Sequence, residues 1–163
     1  MTYRFKEVYI DSYSTVCGPY EGNGPLKNNF DKVHEDLYCG EASWEKAEVH
    51  YLEDSLKLLL KKARIKKEEV DLVISGDLMN QITSSCYASL FLDAPFLGIY
   101  SACATSIEGV IIGATFIESG KVNNCITACS SHNLSSEKQF RNPTEYGAPK
   151  PKTATFTATG GAS

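Results

Sequence analysis

The chain has 163 residues, of which 42% are hydrophobic and 22% are charged, and its formal net charge is -4. This length allows one domain with one core, and the composition excludes a disordered or collagen-like chain. The acidic balance argues against a sequence-independent nucleic-acid binder, because such binding depends on basic side chains that neutralise phosphates. No stretch approaches the roughly 20 apolar residues of a membrane span, and the polar N-terminus is unlike a secretion signal. We therefore expect a soluble, cytosolic protein.

Glycines and prolines between Cys17 and Leu26 predict a surface loop. Ser43 stands where it can cap a following helix. The apolar residues of that helix recur at the spacing of one buried face, and its lysines fall on the opposite, solvated side. This apolar stripe consists of Val49, Leu52, Leu56, Leu59 and Ala63.

Short apolar runs further along the chain predict buried strands that alternate with helices. The predicted strands are Asp71–Ser75, Phe96–Tyr100 and Cys125–Ala128. A helix at Ser84–Leu92 separates the first two, and a helix at Thr105–Glu118, apolar on nearly every side, precedes the third. This alternation predicts an α/β fold with a mixed, mainly parallel sheet and helices on both faces.

The tail of the chain is less regular than the part before it. Threonine alternates with alanine or phenylalanine at Thr153–Thr159, which predicts a last strand before Gly160 and Gly161.

Cysteines and histidines are common metal ligands, but their spacing here does not suggest a metal site. No Cys-x-x-Cys pair occurs, and His34, His50 and His132 stand far apart without zinc-ligand spacing. We expect no metal site, and we expect the thiols to be free and mostly buried. The cysteines are Cys17, Cys39, Cys86, Cys103, Cys125 and Cys129.

Cys103 is the one cysteine whose position suggests chemistry. It lies in the segment YSACATSIEG, after a predicted buried strand and at the start of a predicted buried helix. A helix N-terminus favours negative charge, so a thiolate there would be stabilised and nucleophilic. A small residue packed at a tight strand-to-helix junction would explain the same position. The local sequence leaves both interpretations open.

The segment SACATSIEG, followed by a helix of small residues, resembles the nucleophile segment of the thiolase-like superfamily, which includes the ketoacyl synthases. Five further segments, spread over essentially the whole chain, resemble one branch of it, the stage V sporulation protein AD family of spore-forming bacteria. These segments are HEDL at His34–Leu37, SWEKAE at Ser43–Glu48, GDLMNQ at Gly76–Gln81, SSHN at Ser130–Asn133 and EKQFRNPTEYG at Glu137–Gly147.

The resemblance implies a thiolase-like fold and a protein that binds dipicolinic acid, pyridine-2,6-dicarboxylate, and supports its uptake into the developing spore. It implies no resident cofactor, although calcium could travel with the ligand. The implied partners are the other proteins of the stage V sporulation A operon, with no nucleic acid. The implied location is the cytoplasmic side of the forespore or spore inner membrane, where the protein would be soluble or peripherally held through its partners.

In that family the ligand site lies in the pocket that corresponds to the thiolase active site. The positions that the resemblance carries over are Asp77, Cys103, Ser130, Ser131 and His132. Serine hydroxyls and the His132 ring can donate hydrogen bonds to a carboxylate, and Arg141 can make a bidentate contact. Asp77 would repel a dianion unless it is protonated, orients a donor or shares a bound calcium, and we favour the orienting role. His132 could instead bond to the backbone, and Arg141 could instead balance neighbouring acidic side chains.

Catalysis in thiolase-like enzymes also requires a histidine, with a second histidine or an asparagine, from the second of two similar halves. Residues 1–163 match only the N-terminal half, as one truncated half-domain, so Cys103 lacks a partner base and we expect no enzyme. The alternatives are an acyl-transferring or condensing enzyme that uses Cys103, and a structural role at the spore inner membrane. A half-fold would leave one apolar face of the Thr105–Glu118 helix uncovered, so we expect self-association or pairing with a second half.

Overall fold

The computed structural model describes residues 2–141 and 157–163, without the side chains of residues 140 and 141. The strands within these residues are β1 (Thr15–Cys17), β2 (Lys32–Val33), β3 (Leu72–Asp77), β4 (Phe96–Gly98), β5 (Cys125–Ser131) and β6 (Gly160–Ala162). They form one sheet in the order β2-β1-β6-β5-β3-β4. The pairs β1–β2, β3–β4 and β3–β5 are parallel, whereas β6 runs antiparallel to β1 and β5. The expected mixed, mainly parallel sheet is confirmed.

Helices cover both faces of this sheet, as predicted. The α-helices of the described residues are α1 (Pro19–Gly22), α2 (Trp44–Ala63), α3 (Thr83–Ser89), α4 (Thr105–Glu118) and α5 (Asn133–Ser136). Alternate residues of β5 show the two layers. Ile126 and Ala128 belong to the core formed with α2 and α3. On the other face, a Cβ atom added to Gly113 of α4 would lie 3.1 Å from Cγ2 of Thr127.

Helix α2 forms where its cap and its apolar stripe predict. The Ser43 side chain accepts a hydrogen bond from the backbone N–H of Lys46 at 3.3 Å, which satisfies one of the unpaired donors of the first turn. Leu52, Leu56 and Leu59 are buried against the sheet. Each such side chain stabilises the fold by about 1.5–3 kcal/mol through removal of apolar surface from water.

The strands predicted at Asp71–Ser75 and Cys125–Ala128 are present with different ends, whereas two other strand predictions differ in burial or in place. The strand predicted at Phe96–Tyr100 ends at Gly98, and Phe96 and Leu97 are each 37% exposed rather than buried. The reason is that β4 is an edge strand with β3 as its single neighbour. The last strand is Gly160–Ala162 and not Thr153–Thr159, because the described residues 157–159 are not in a strand. Residues 153–156 of that prediction lie outside the described residues.

The glycines of the last strand allow α2 to lie directly on the sheet. A Cβ atom added to Gly161 would stand 2.8 Å from Cα of Leu52 and 2.9 Å from the carbonyl oxygen of Tyr51. Real Cβ atoms do not approach backbone this closely, so a side chain here would push the helix away. Glycine at position 161 is therefore a packing requirement inside a strand.

Helix α4 is buried on one face only. Gly109 and Gly113 face the sheet, while Ile107 is 62% and Ile111 is 52% exposed on the other side. The described chain thus leaves an apolar face of α4 uncovered, as the half-fold interpretation anticipates. None of the helices in the described ranges is long and apolar enough to cross a membrane.

Candidate functional site

A cavity of about 660 Å³ opens at the carboxyl ends of β1, β3 and β5. Ligands of open α/β sheets commonly bind at this edge, because the chain leaves the strands there and helix N-termini point into the crevice. The wall includes Glu21, Asp77, Cys103, Ser130, Ser131 and Ser136. Four of the positions carried over from the family resemblance therefore lie together.

Cys103 stands in a short 3-10 turn, Ala102–Ala104, that leads directly into α4. Its side chain is exposed and lies on the cavity wall. Ala102 has a φ of 47°, a left-handed conformation that costs a non-glycine residue about 1–2 kcal/mol. Within the described residues no side chain caps α4, so its start is available to an anion in the cavity.

The backbone that leads into this turn passes so close to β3 that the strand has room only for a glycine at position 76. A Cβ atom added to Gly76 would stand 2.1 Å from the carbonyl oxygen of Ile99. This contact holds the Cys103 turn beside the carboxyl end of β3. The junction predicted from the sequence is confirmed, whereas a nucleophilic role for Cys103 stays a prediction.

Asp77 ends β3 and organises the start of α3. Its two carboxylate oxygens accept hydrogen bonds from the backbone N–H groups of Ser84 and Ser85, each at 2.8 Å, and a further short one from the Ser85 hydroxyl. Burial raises the pKa of Asp77, and these donors oppose that shift. The carboxylate is thus already committed to the protein, which agrees with an orienting role and disfavours direct ligand contact.

Glu48 is the residue that the sequence interpretation missed. It is 2% exposed on α2, where its Oε1 atom accepts a hydrogen bond from Ser130 at 2.9 Å and its Oε2 atom accepts one from Ser135 at 3.2 Å. Burial and the nearby Asp77 carboxylate raise the pKa of Glu48 to about 7. The available signal was its position four residues before Leu52, in line with the apolar stripe of α2.

The segment SSHN divides between the cavity and the interior. The Ser130 hydroxyl donates to Glu48, and the Ser131 hydroxyl donates to the carbonyl of Ala158 at 2.6 Å. The buried His132 ring donates from Nε2 to the carbonyl of Leu37 at 2.8 Å and accepts at Nδ1 from the N–H of Leu134. Its ring is not part of the cavity wall. The geometry therefore agrees with the alternative in which His132 bonds to the backbone, and not with a role as a ligand donor.

Arg141 ends a π-helical turn, Glu137–Arg141, that follows α5. Its side chain lies outside the described residues, so its predicted contact with a carboxylate stays a prediction.

Two polar atoms on the wall lack a partner among the described residues. They are Oγ of Ser136, on a residue 2% exposed, and Oε2 of Glu21. A buried polar atom without a partner is costly, and a ligand in the cavity could relieve that cost. The sequence offered no signal for either residue, since both stand in four-residue helices, α1 and α5, which are too short to show an apolar periodicity.

The electrostatic character of the wall is acidic. Its described residues include the carboxylates Glu21 and Asp77 but no lysine, arginine or histidine. An anion in the cavity would thus depend on hydroxyl donors, the α4 N-terminus or an accompanying cation.

Two of the three histidines, which stand far apart in the sequence, lie close together in the structure. His34 and His50 lie beside Asp54, and their potential ligand atoms are within 4.8 Å of one another. Spacing along the sequence could not show this proximity. His34 follows β2, and the pairing of β2 with β1 places His34 next to α2.

Comparisons with known proteins agree with this architecture. The model of the family described as Stage V sporulation protein AD (SpoVAD) matches residues 1–163. Stage V sporulation protein AD of Bacillus subtilis (strain 168) is 41% identical over 153 residues, which are 94% of this chain and 45% of that relative. The chain therefore spans less than half the length of this curated relative.

Solved structures of low sequence identity show the same fold. A cerulenin-bound OleA from Xanthomonas campestris has a TM-score of 0.62 at 17% identity. The match covers 97% of this chain and 56% of the OleA chain. The 3-oxoacyl-(acyl carrier protein) synthase III, FabH, from Xanthomonas oryzae pv. oryzae has a TM-score of 0.56 at 19% identity, covering 92% and 50%. The chain has a thiolase-like fold, and it belongs to the stage V sporulation protein AD family.

Proposed function

We propose that this chain binds dipicolinic acid in the cavity at the carboxyl ends of β1, β3 and β5 and supports its uptake into the developing spore. Membership of a sporulation family supports the biological setting. The observation that carries the binding proposal is the wall itself, which holds both the buried, partnerless Ser136 hydroxyl and the uncapped start of α4.

Dipicolinate is a flat aromatic dianion, and the wall offers complementary groups of two kinds. The N-terminus of α4 favours a carboxylate through its backbone N–H groups and helix dipole, and Ser136 can donate a hydrogen bond to a carboxylate oxygen. Tyr100, which also lines the cavity, provides an aromatic surface for the pyridine ring.

Calcium fits this proposal because the described wall carries carboxylates and no basic side chain. A dianion alone would meet the negative charge of Glu21 and Asp77, whereas its one-to-one calcium complex is neutral. The partnerless Oε2 atom of Glu21 is the type of oxygen ligand that calcium prefers. We expect calcium to raise the affinity for dipicolinate.

The proposed setting is the cytoplasmic side of the forespore inner membrane, where the chain would pass its ligand to other proteins of the stage V sporulation A operon. In this role Cys103 shapes the wall and does not react. Support comes from the position of the three histidines, none of which lies on the wall in the described part of the cavity.

Calorimetric titration of the purified protein with dipicolinate, with and without calcium, tests the proposal. Calcium alone and an isomeric pyridine dicarboxylate serve as ligand controls. Ser136→Ala should weaken binding by about 10- to 100-fold, the cost of losing a hydrogen bond to a charged group. Ser89→Ala is the matched control, because its hydroxyl is also buried without a described partner but lies on α3, away from the wall.

Saturable binding that prefers the 2,6-isomer, with loss in Ser136→Ala and not in Ser89→Ala, would support the proposal. Absence of dipicolinate binding with and without calcium would refute it. Equal binding by both serine variants would place the ligand elsewhere on the protein.

An acyl-transferring enzyme is the second candidate, and the exposed Cys103 at the start of α4 favours it. In that reaction the Cys103 sulfur would attack the thioester carbonyl of an acyl-coenzyme A, and coenzyme A would leave as the thiol. Mass spectrometry after incubation with an acyl-coenzyme A measures the adduct. Rapid acylation that is absent in Cys103→Ala would favour the enzyme over the binding protein.

A further inference from the structure

A second group of chemically capable side chains lies away from the cavity described above. Asp54 Oδ2 is 2.8 Å from Nε2 of His34 and 3.6 Å from Nε2 of His50. Lys32 also reaches this oxygen, at 2.6 Å. On the far side of the His50 ring, Nδ1 is 3.4 Å from Oε1 of Glu41. All three central side chains are half-buried.

Regular structure holds these side chains in place. His50 and Asp54 are four residues apart on α2, so they project from the same face of the helix. His34 follows β2, and its backbone N–H donates to the carbonyl of Cys17 at 2.9 Å, which ties it to β1. Its ring packs edge-on against the ring of Tyr51, with centroids 4.9 Å apart. The cluster is therefore built on a helix and a strand end.

We propose that His34, His50 and Asp54 bind a divalent transition-metal ion of the zinc type. Two imidazole nitrogens and one carboxylate oxygen are a common zinc ligand set, with a water molecule completing the tetrahedron. Bonds of about 2.0–2.1 Å at tetrahedral angles place ligand atoms about 3.4 Å apart. The two separations from Asp54, 2.8 and 3.6 Å, bracket this value, and all three potential ligand atoms lie within 4.8 Å of one another, so side-chain rotations can close the site.

Glu41 stands where an outer-shell carboxylate is needed. A hydrogen bond from Nδ1–H of His50 to Glu41 fixes the tautomer in which Nε2 has a free lone pair, and Nε2 is the atom that faces Asp54. Carboxylates that hold metal-binding histidines in this way raise the basicity of the ligand. The chain therefore supplies both a ligand set and a group that orients it.

Lys32 is the competitor of the metal ion. Its ammonium group occupies the same carboxylate oxygen, and it would have to withdraw when a cation binds. Its side chain is 43% exposed, so it can swing into solvent at little cost. This competition predicts that removal of the Lys32 charge strengthens metal binding.

A second cavity, of about 720 Å³, opens beside the cluster at His50, whereas His34 and Asp54 do not line it. His50 and Glu41 both line it, together with Glu45, Glu53 and Lys46. Three carboxylates against one ammonium group make this mouth acidic, which raises the local concentration of cations. An entry path is one of the features that a credible metal site requires.

Calorimetric titration of the purified protein with Zn²⁺ measures the affinity, and the visible spectrum of the Co²⁺ form reports the ligand type. His50→Gln and Asp54→Asn each remove one proposed ligand. Glu53→Gln is the matched control for Asp54→Asn, because it removes the same charge one residue earlier on α2, from a side chain that pairs with Lys57. Cys39→Ser controls for zinc binding to a nearby thiol.

We expect one saturable site whose affinity falls by more than about tenfold in both ligand variants, because even outer-shell losses cost about 10- to 100-fold. The two control variants should stay within about twofold of the parent, and Lys32→Met should bind several-fold more tightly. The Co²⁺ spectrum should show no thiolate charge-transfer band. Absence of saturable zinc binding, or unchanged affinity in both ligand variants, would overturn the proposal. Weaker zinc binding by Lys32→Met would also overturn the proposal.

Discussion

The buried carboxylate of Glu48 should make the stability of this protein fall as the pH rises. The pKa of Glu48 is raised from 4.5 to about 7 by burial and by Asp77. Between pH 4.5 and about 7, Glu48 is ionised in the unfolded chain but stays protonated in the folded protein. The unfolded state then binds fewer protons, so the free energy of unfolding decreases as the pH rises through this window. The full cost above pH 7 is about 3 kcal/mol.

The substitution Glu48→Gln should remove this cost while keeping the hydrogen bonds. A glutamine Oε1 atom can accept from Ser130 as Glu48 does, at 2.9 Å. The new amide group can donate to the Ser135 hydroxyl, whose proton then turns from residue 48 to the carbonyl of His132, 3.1 Å away. We therefore expect Glu48→Gln to be more stable than the parent at pH 8, and nearly equal to it at pH 5.

Urea unfolding of the parent and of Glu48→Gln at several pH values between 5 and 8 measures this effect. The difference in unfolding free energy between the two proteins should grow by about 2 to 3 kcal/mol over that range. Taking the difference cancels groups that titrate in both proteins, such as the histidines. Glu53→Gln is the control, since that carboxylate lies at the surface of the same helix. A constant difference, or a Glu48→Gln variant that is less stable at pH 8, would refute the reasoning.

Three further variants test other parts of the structure. Asp77→Asn should destabilise the protein by about 1–3 kcal/mol in urea unfolding, because both oxygens accept backbone N–H groups and an amide nitrogen cannot accept. Gly161→Ala should cost about 1–3 kcal/mol, since its methyl group would overlap the backbone of Leu52; an unchanged unfolding midpoint would contradict this packing. Replacing exposed Ile107 and Ile111 with glutamate should reduce self-association in sedimentation experiments without loss of stability, whereas unchanged association would exclude the α4 face.

Local patterns were sufficient for most elements of the fold. The bounds of α4 match the prediction of Thr105–Glu118, and Ser43 caps α2 as expected. Periodicity reports which residues share a face, and a cap acts within one turn, so neither depends on distant parts of the chain. The short motifs likewise carried the resemblance to the family that the comparisons then showed.

Predictions failed where the neighbour of a strand or the space beside a residue decided the outcome. Phe96 and Leu97 have a buried-strand pattern, but their exposure depends on β4 lying at the edge of the sheet. The last strand is Gly160–Ala162, where β1 leaves no room for a side chain at Gly160 and α2 leaves none at Gly161. Neither circumstance is visible in a local window of sequence.

The sequence by itself determined the α/β alternation, the long capped helix, the junction that carries Cys103 and the family. Only the tertiary structure decided which polar groups meet. Glu48 joins Ser130 across 82 positions, and His34 reaches Asp54 from a strand end that pairs with β1. Such meetings depend on strand order and on how a helix lies over the sheet, and these are set by packing of the whole core rather than by spacing along the chain.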